Sequence, residues 1–164
     1  MPRLYLLRHA KSSWDEPSLA DHDRPLAPRG QRAADMMGEH LQAEGVAPSL
    51  VLCSSAVRAR ETLAGIGLEE GAVVERGLYG ASEGALLDRL RKLPDDVSSA
   101  MLIGHNPGMQ ELTLMLAGEG SQLGRVHKKF PTAALATLDF DGDWSSLRPH
   151  AARLTAFVRP KDLV

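Results

Sequence analysis

The sequence predicts an α/β fold: a three-layer α/β/α sandwich around a mostly parallel central sheet with an antiparallel edge. Three observations point there. Short apolar runs alternate with stretches of helical periodicity over residues 2–116, the pattern of parallel strands joined by crossover helices. Two strand-like runs, 132–140 and 153–158, then follow one another, which suits antiparallel pairing at an edge. The chain has 164 residues and neither a repeat nor a low-complexity linker, so one domain over 1–164 is the economical organisation.

Residues 2–8 carry the compact apolar run Leu4-Tyr5-Leu6-Leu7 and read as a first strand. The stretch 11–27 is rich in Ser, Asp and Pro and reads as a long loop. A helix opens near Pro28, a residue suited to the first turn, with Ala33, Met37 and Leu41 at helical spacing and Gly45 as its stop. Residues 49–53 form a buried-strand run, and Ala56, Ala59, Leu63 and Ile66 then recur at helical spacing up to Gly65 or Gly67. Residues 72–74 suggest a short strand. Ser82 caps a helix carrying Leu86, Leu90 and Leu93, which Pro94 closes. Residues 99–103 are another buried run. Asn106 and Pro107 make an N-cap and first-position pair for a helix bearing Met109, Leu112 and Leu116, ended by Gly118 and Gly120.

Composition narrows the function classes. There are 19 basic and 21 acidic residues, for a formal net charge of -2. That balance gives no support for a nucleic-acid partner or a polybasic membrane surface. Hydrophobic residues at 43% and charged residues at 24% fit a soluble globular protein. The single cysteine, Cys53, excludes an intrachain disulfide, and its place in Leu50-Val51-Leu52-Cys53 predicts a buried thiol. The N-terminal apolar run is too short for a signal segment or a membrane span. A cytoplasmic location is the expectation.

In open α/β sheets, ligands gather beyond the C-terminal ends of the strands. Three such ends carry candidate chemistry here. The first strand delivers Arg8-His9-Ala10-Lys11, the run at 99–103 delivers Gly104-His105-Asn106-Pro107-Gly108, and the run at 49–53 delivers Ser54-Ser55-Ala56-Val57-Arg58. Each alone has a plain reading, as a polar strand terminus, a turn or a solvated helix residue. Together, on neighbouring strands, they bring two imidazoles and two guanidiniums to one anion-sized spot. Helix N-termini near Ala56 and Pro107 add backbone donors and partial positive charge. Such a pocket suits a phosphoryl dianion. Arginine binds phosphate oxygens bidentately, and a neutral imidazole attacks phosphorus without first shedding a proton.

Leu7-Arg8-His9-Ala10 resembles the Arg-His-Gly signature of the histidine phosphatase (phosphoglycerate mutase-like) superfamily, with Ala10 in the glycine position. The run from Ser54 to Thr62 is similar to the superfamily's second arginine segment, and Ile103-Gly104-His105-Asn106 to its second histidine segment. Order and spacing agree over essentially the whole chain. Within the superfamily the likeness is to the short SixA-type phosphohistidine phosphatases. It is carried by Arg8-His9-Ala10-Lys11-Ser12-Ser13-Trp14, by Asp23-Arg24-Pro25-Leu26-Ala27-Pro28-Arg29-Gly30 and by Phe130-Pro131-Thr132-Ala133. The resemblance implies His9 as phosphoryl acceptor, and Arg8, Arg24, Arg58 and His105 as the phosphate pocket. It implies no metal and no cofactor.

The family's usual acid, a Glu that protonates an alkoxide leaving group, has no clear match. Glu75, Asp21 and Asp23 are the candidates, each of which reads equally as a solvated, turn or salt-bridge residue. A site without an acid suits a good leaving group such as the imidazole of phosphohistidine. The expected activity is therefore phosphatase action on phosphohistidine in proteins. A small-molecule phosphomonoesterase on the same fold, with one of those carboxylates lining the cleft, is the alternative, and a non-catalytic phosphate-binding module is a third reading. The expected partner is a phosphorylated protein or a small phosphorylated substrate. Asp21-His22-Asp23 alone makes no metal site without a second ligand cluster. Trp14 either walls the cleft or packs under its loop. Lys128-Lys129 reads as a solvated face able to attract an acidic partner.

Overall fold

The computed structural model describes residues 1–164 and places seven strands in one sheet, in the order β3-β2-β4-β1-β6-β7-β5. In chain order the elements are β1 (Arg3–Arg8), α1 (Pro28–Ala43), β2 (Leu50–Ser54), α2 (Val57–Gly65), β3 (Val73–Glu75), α3 (Glu83–Arg91) and β4 (Ser99–Gly104). There follow α4 (Gly108–Leu116), β5 (Ala117–Glu119), α5 (Leu123–Lys128), β6 (Leu135–Phe140) and β7 (Ala152–Val158). Strands β1, β2, β3 and β4 pair in parallel. Antiparallel pairing is confined to β6, which lies between β1 and β7. No helix is long and apolar enough to cross a membrane.

The period-two alternation of the central strands divides the core into two layers. Leu4, Leu6, Leu52 and Leu102 face α3 and α4, where Leu86, Leu90, Met109 and Leu112 meet them. Tyr5, Leu7, Val51, Cys53, Met101 and Ile103 face α1 and α2, against Met37, Leu41, Ala59 and Leu63. Cys53 is fully buried, and burial pushes its thiol up to about 12, so it is a packing residue.

The structure departs from the sequence reading in four places, the first being helix α5, which has no counterpart in that reading. The short strand β5 continues directly from the end of α4 and pairs with β7, where glycines alone were expected. Helix α4 begins at Gly108, with Pro107 as its N-cap, and Asn106 caps from further back by accepting from the Gln110 N–H at 3.2 Å. Strand β6 begins at Leu135 rather than 132, because residues 131–134 form a turn in which Ala133 takes a positive φ of 60°.

Candidate functional site

Strand register assembles the site. Arg8 lies opposite Gly104, and Ile103 lies between Leu7 of β1 and Cys53 of β2. The three strands therefore end level, and His9, Ser54 and His105 emerge side by side. The His9 N–H donates to the Gly104 carbonyl at 3.0 Å, which fixes the two histidine segments to one another. The imidazole centroids stand 5.0 Å apart, tilted by 54°.

His9 is buried, at 7% exposure. Its Nδ1 lies 2.7 Å from the Ala10 carbonyl, an acceptor only, so Nδ1 carries the proton and Nε2 keeps its lone pair. Burial first, then the proximity of His105, Arg58 and Arg8, hold its pKa down at about 3, so the ring is neutral at pH 7. The backbone behind it is clamped. The Ala133 N–H donates to both the Arg8 and His9 carbonyls at 3.0 Å, and the Ala10 N–H donates to Thr62 Oγ1 at 2.9 Å. Thr62 in turn donates to the Arg58 carbonyl at 2.7 Å, tying the His9 loop to α2.

Arg58, in the first turn of α2, is also buried at 7% exposure. Its Nε points at His9 Nε2 over 3.4 Å, and its Nη2 at His105 Nδ1 over the same distance. Its other contacts go to Asp21, the carbonyl at 2.7 Å and Oδ2 at 3.0 Å. His105 Nδ1 thus faces a donor, which leaves the proton on Nε2, 2.7 Å from Ser54 Oγ. Burial and the Arg58 charge hold the His105 pKa at about 4. Arg8 donates through Nη1 to the Phe130 carbonyl at 2.9 Å, while its Nε is buried with no partner. A buried guanidinium donor without an acceptor is costly, which marks Arg8 as a residue still able to take up an anionic partner.

Arg24 lies on the loop over the site, at 6% exposure. It binds the Ser13 carbonyl at 3.0 Å, Ser12 Oγ at 2.7 Å and Asp21 Oδ1 at 3.1 Å, and stacks under the Trp14 ring. Three of its five N–H groups are thereby engaged in holding the loop. Trp14 covers Arg24 with one face and remains 68% exposed. The loop itself sits tightly on α1: a Cβ on Gly30 would run into the Lys11 carbonyl.

The three carboxylates weighed as acids fall in different places. Asp21 reaches the pocket, but the Tyr79 hydroxyl at 2.6 Å, with Arg58 and Arg24, holds its pKa at about 2. It is a carboxylate at neutral pH and has no proton to donate. Glu75 at the end of β3 forms a two-point pair with Arg89, at 2.8 Å twice, which pulls its pKa down as well. Asp23 is exposed and meets His22 at 3.4 Å. His22 turns its Nε2 to Ser55 Oγ at 2.8 Å. No group of three or more His, Cys, Asp or Glu side chains is clustered as metal ligands.

Several members of the site were not singled out in the sequence. Tyr79 packs edge-on against both His105 and His22, with centroids 5.5 and 4.8 Å away, and orders Asp21. Ser54 and Thr62 orient His105 and the His9 loop, and the Phe130 carbonyl gathers Arg8 and Asn106. The available signal was position: Ser54 ends β2, and Tyr79 follows β3, the strand beside it.

Residues 4–85 match the histidine phosphatase superfamily (branch 1), a span that includes His9, Arg24 and Arg58. A protein of Mycobacterium tuberculosis is 39% identical over 159 residues, covering 94% of this chain and all of that protein. The solved structure of a SixA protein from Nakamurella multipartitia superposes with a TM-score of 0.84 at 30% identity, over 97% of this chain and 96% of that one. The protein histidine phosphatase SixA in complex with tungstate shares the fold, with a TM-score of 0.81 at 24% identity over 99% of both chains. This chain belongs to the histidine phosphatase superfamily, branch 1, and has the SixA-like, phosphoglycerate mutase-like fold.

Proposed function

We propose that the protein is a phosphohistidine phosphatase, moving a phosphoryl group from a histidine of another protein to its own His9 and then to water. One observation carries the reading. A neutral, lone-pair-bearing imidazole stands inside a cradle of guanidiniums, and the carboxylate that reaches the pocket, Asp21, is held ionised. The SixA relatives support it.

In the first step His9 Nε2 attacks phosphorus in line and a new N–P bond forms; the substrate N–P bond breaks with its electron pair going to a ring whose other nitrogen already carries a proton, so it departs as neutral imidazole and needs no acid from the site. Arg8 and Arg58 hold the transferring group and balance charge on its oxygens, with the neutral His105 ring beside it and Arg24 fixing the loop above. In the second step water attacks phosphorus, the His9 N–P bond breaks with its electron pair returning to Nε2, and inorganic phosphate leaves, while His105 Nδ1 stands as the acceptor of the proton that water gives up. The protein's own cations supply the positive charge throughout. Expelling an alkoxide would need a proton, and this site holds no acid to give one; general acid catalysis typically contributes about 100–10,000-fold.

A series of phosphate compounds with graded leaving-group pKa tests the reading through kcat/KM. A steep fall with rising leaving-group pKa, with phosphohistidine far ahead of phosphoserine, is the expected result. A flat profile would reveal a proton donor and favour a small-molecule phosphomonoesterase.

A further inference from the structure

A second body of positive charge lies beside the phosphate pocket. A concavity of about 510 Å³ is lined by Arg125, Lys128, Lys129, Pro131, Arg159 and Lys161, with no carboxylate among them. A second, of about 190 Å³, shares Pro131, Arg159 and Lys161 and extends the groove to Lys11 and Arg29. The sheet brings these distant residues together. Leu135 pairs with Leu7 on one side and with Val158 on the other, so the chain entering β6 and the chain leaving β7 lie at the end of the sheet where His9 emerges. Thr132, in the groove wall, precedes the Ala133 whose N–H grips the His9 carbonyl, and Lys11 lies two residues beyond His9.

The charge of the groove is unspent. Among its cations only Arg159 has a carboxylate partner, Asp162 at 2.9 Å, and the five lysines and arginines from Lys11 to Lys129 are exposed. In a chain whose net charge is -2, this is a strong local segregation.

We propose that the groove docks the acidic flank of a phosphorylated protein substrate, placing Asp and Glu side chains of the partner against it while the phosphorylated residue enters the His9 pocket. The proposal rests on the phosphohistidine reading above. Exposed, flexible ammonium groups attract an opposite charge at long range and adapt to a broad surface. A small polyanion would instead call for buried, hydrogen-bonded donors of the kind found at Arg8 and Arg58. A nucleic-acid strand would call for aromatic stacking platforms, and no aromatic residue lines the groove.

The test compares two synthetic phosphohistidine peptides of equal length, one flanked by Glu and one by Gln, with para-nitrophenyl phosphate as the reference substrate. The wild type should favour the Glu peptide by roughly tenfold in kcat/KM, chiefly through KM, and lose that preference in 0.5 M salt. The triple variant Lys128→Glu, Lys129→Glu, Lys161→Glu should lose the preference and keep the reference rate. Equal use of both peptides by the wild type, or a variant that slows the reference substrate as much as the Glu peptide, overturns the proposal. Should neither peptide be dephosphorylated, the substrate reading fails separately, and docking is read from fluorescence anisotropy of the unphosphorylated Glu peptide on the His9→Ala protein. Binding abolished by the triple charge reversal supports docking; no binding, or binding of inorganic tripolyphosphate alone, overturns it.

Discussion

Arg58 and Lys128 both present positive charge near one end of the sheet, under opposite conditions. Arg58 is buried, and its donors are aimed by Asp21, His9 and His105. Lys128 stands in solvent and has no carboxylate partner. A buried guanidinium has already lost its water, so its orientation is fixed before a ligand arrives and its field is weakly screened. An exposed ammonium keeps its hydration and its freedom, and is screened within about 8 Å at physiological salt. The pocket therefore works through geometry, and the groove through net charge. Each can be changed without the other.

The largest effect belongs to the proposed nucleophile. His9→Ala should fold and lose turnover by about a thousandfold or more, because no neighbouring group replaces the acceptor. Quench-flow labelling of the wild type should find one phosphoryl group per chain, absent from the variant. Arg58→Lys keeps the charge but loses the planar fork, and should cost about 100-fold in kcat/KM on an aryl phosphate. Lys128→Arg in the groove should change no rate measurably. Equal tolerance at the two positions would erase the distinction between them.

Acidity separates the regions further. His9 and His105 should titrate at about pH 3 and 4 in the empty pocket, far below an ordinary imidazole near 6.5, as read from ring carbon shifts by NMR. The unfolded chain takes up those protons first. Above pH 7 both states are neutral and nothing is lost, whereas stability falls as pH drops from about 6.5 towards the folded values. His9→Ala should accordingly lose less Tm than the wild type between pH 7 and 5. A small effect is expected at Glu75, whose pair with Arg89 is partly exposed: Glu75→Gln should leave aryl phosphate turnover unchanged and shift stability by about 1 kcal/mol or less. A rate loss of tenfold there would restore Glu75 as an acid.

The buried runs at β1, β2 and β4 were legible because near-continuous apolar strands have few other uses, and the histidines and Arg58 followed because they sit directly at those strand ends. Asp21 was legible only as one of several loop acids. What makes it an ionised strut is Tyr79, 58 residues away, and nothing in local sequence announces that pairing. The Phe130 carbonyl is a backbone group and leaves no trace in residue type. Strand β5 has three residues, of which Gly118 and Glu119 are exposed, and exists only because β7 offers an edge. The groove was half visible as Lys128-Lys129; its other half, Lys11, Arg29 and Lys161, depends on strand register.

The contact between His9 Nδ1 and the carbonyl of its own neighbour, Ala10, has a regiochemical consequence. Imidazole forms two isomeric phosphoramidates, and with Nδ1 committed as a donor only the tele nitrogen is open to bond formation. The proposed His9 adduct should therefore be the 3-phospho isomer, while the isomer of the proposed substrate is constrained only by how its ring enters the pocket. Phosphorus NMR of the quenched protein distinguishes the isomers by shift, and a 1-phospho signal would show that the Ala10 carbonyl does not direct the attack.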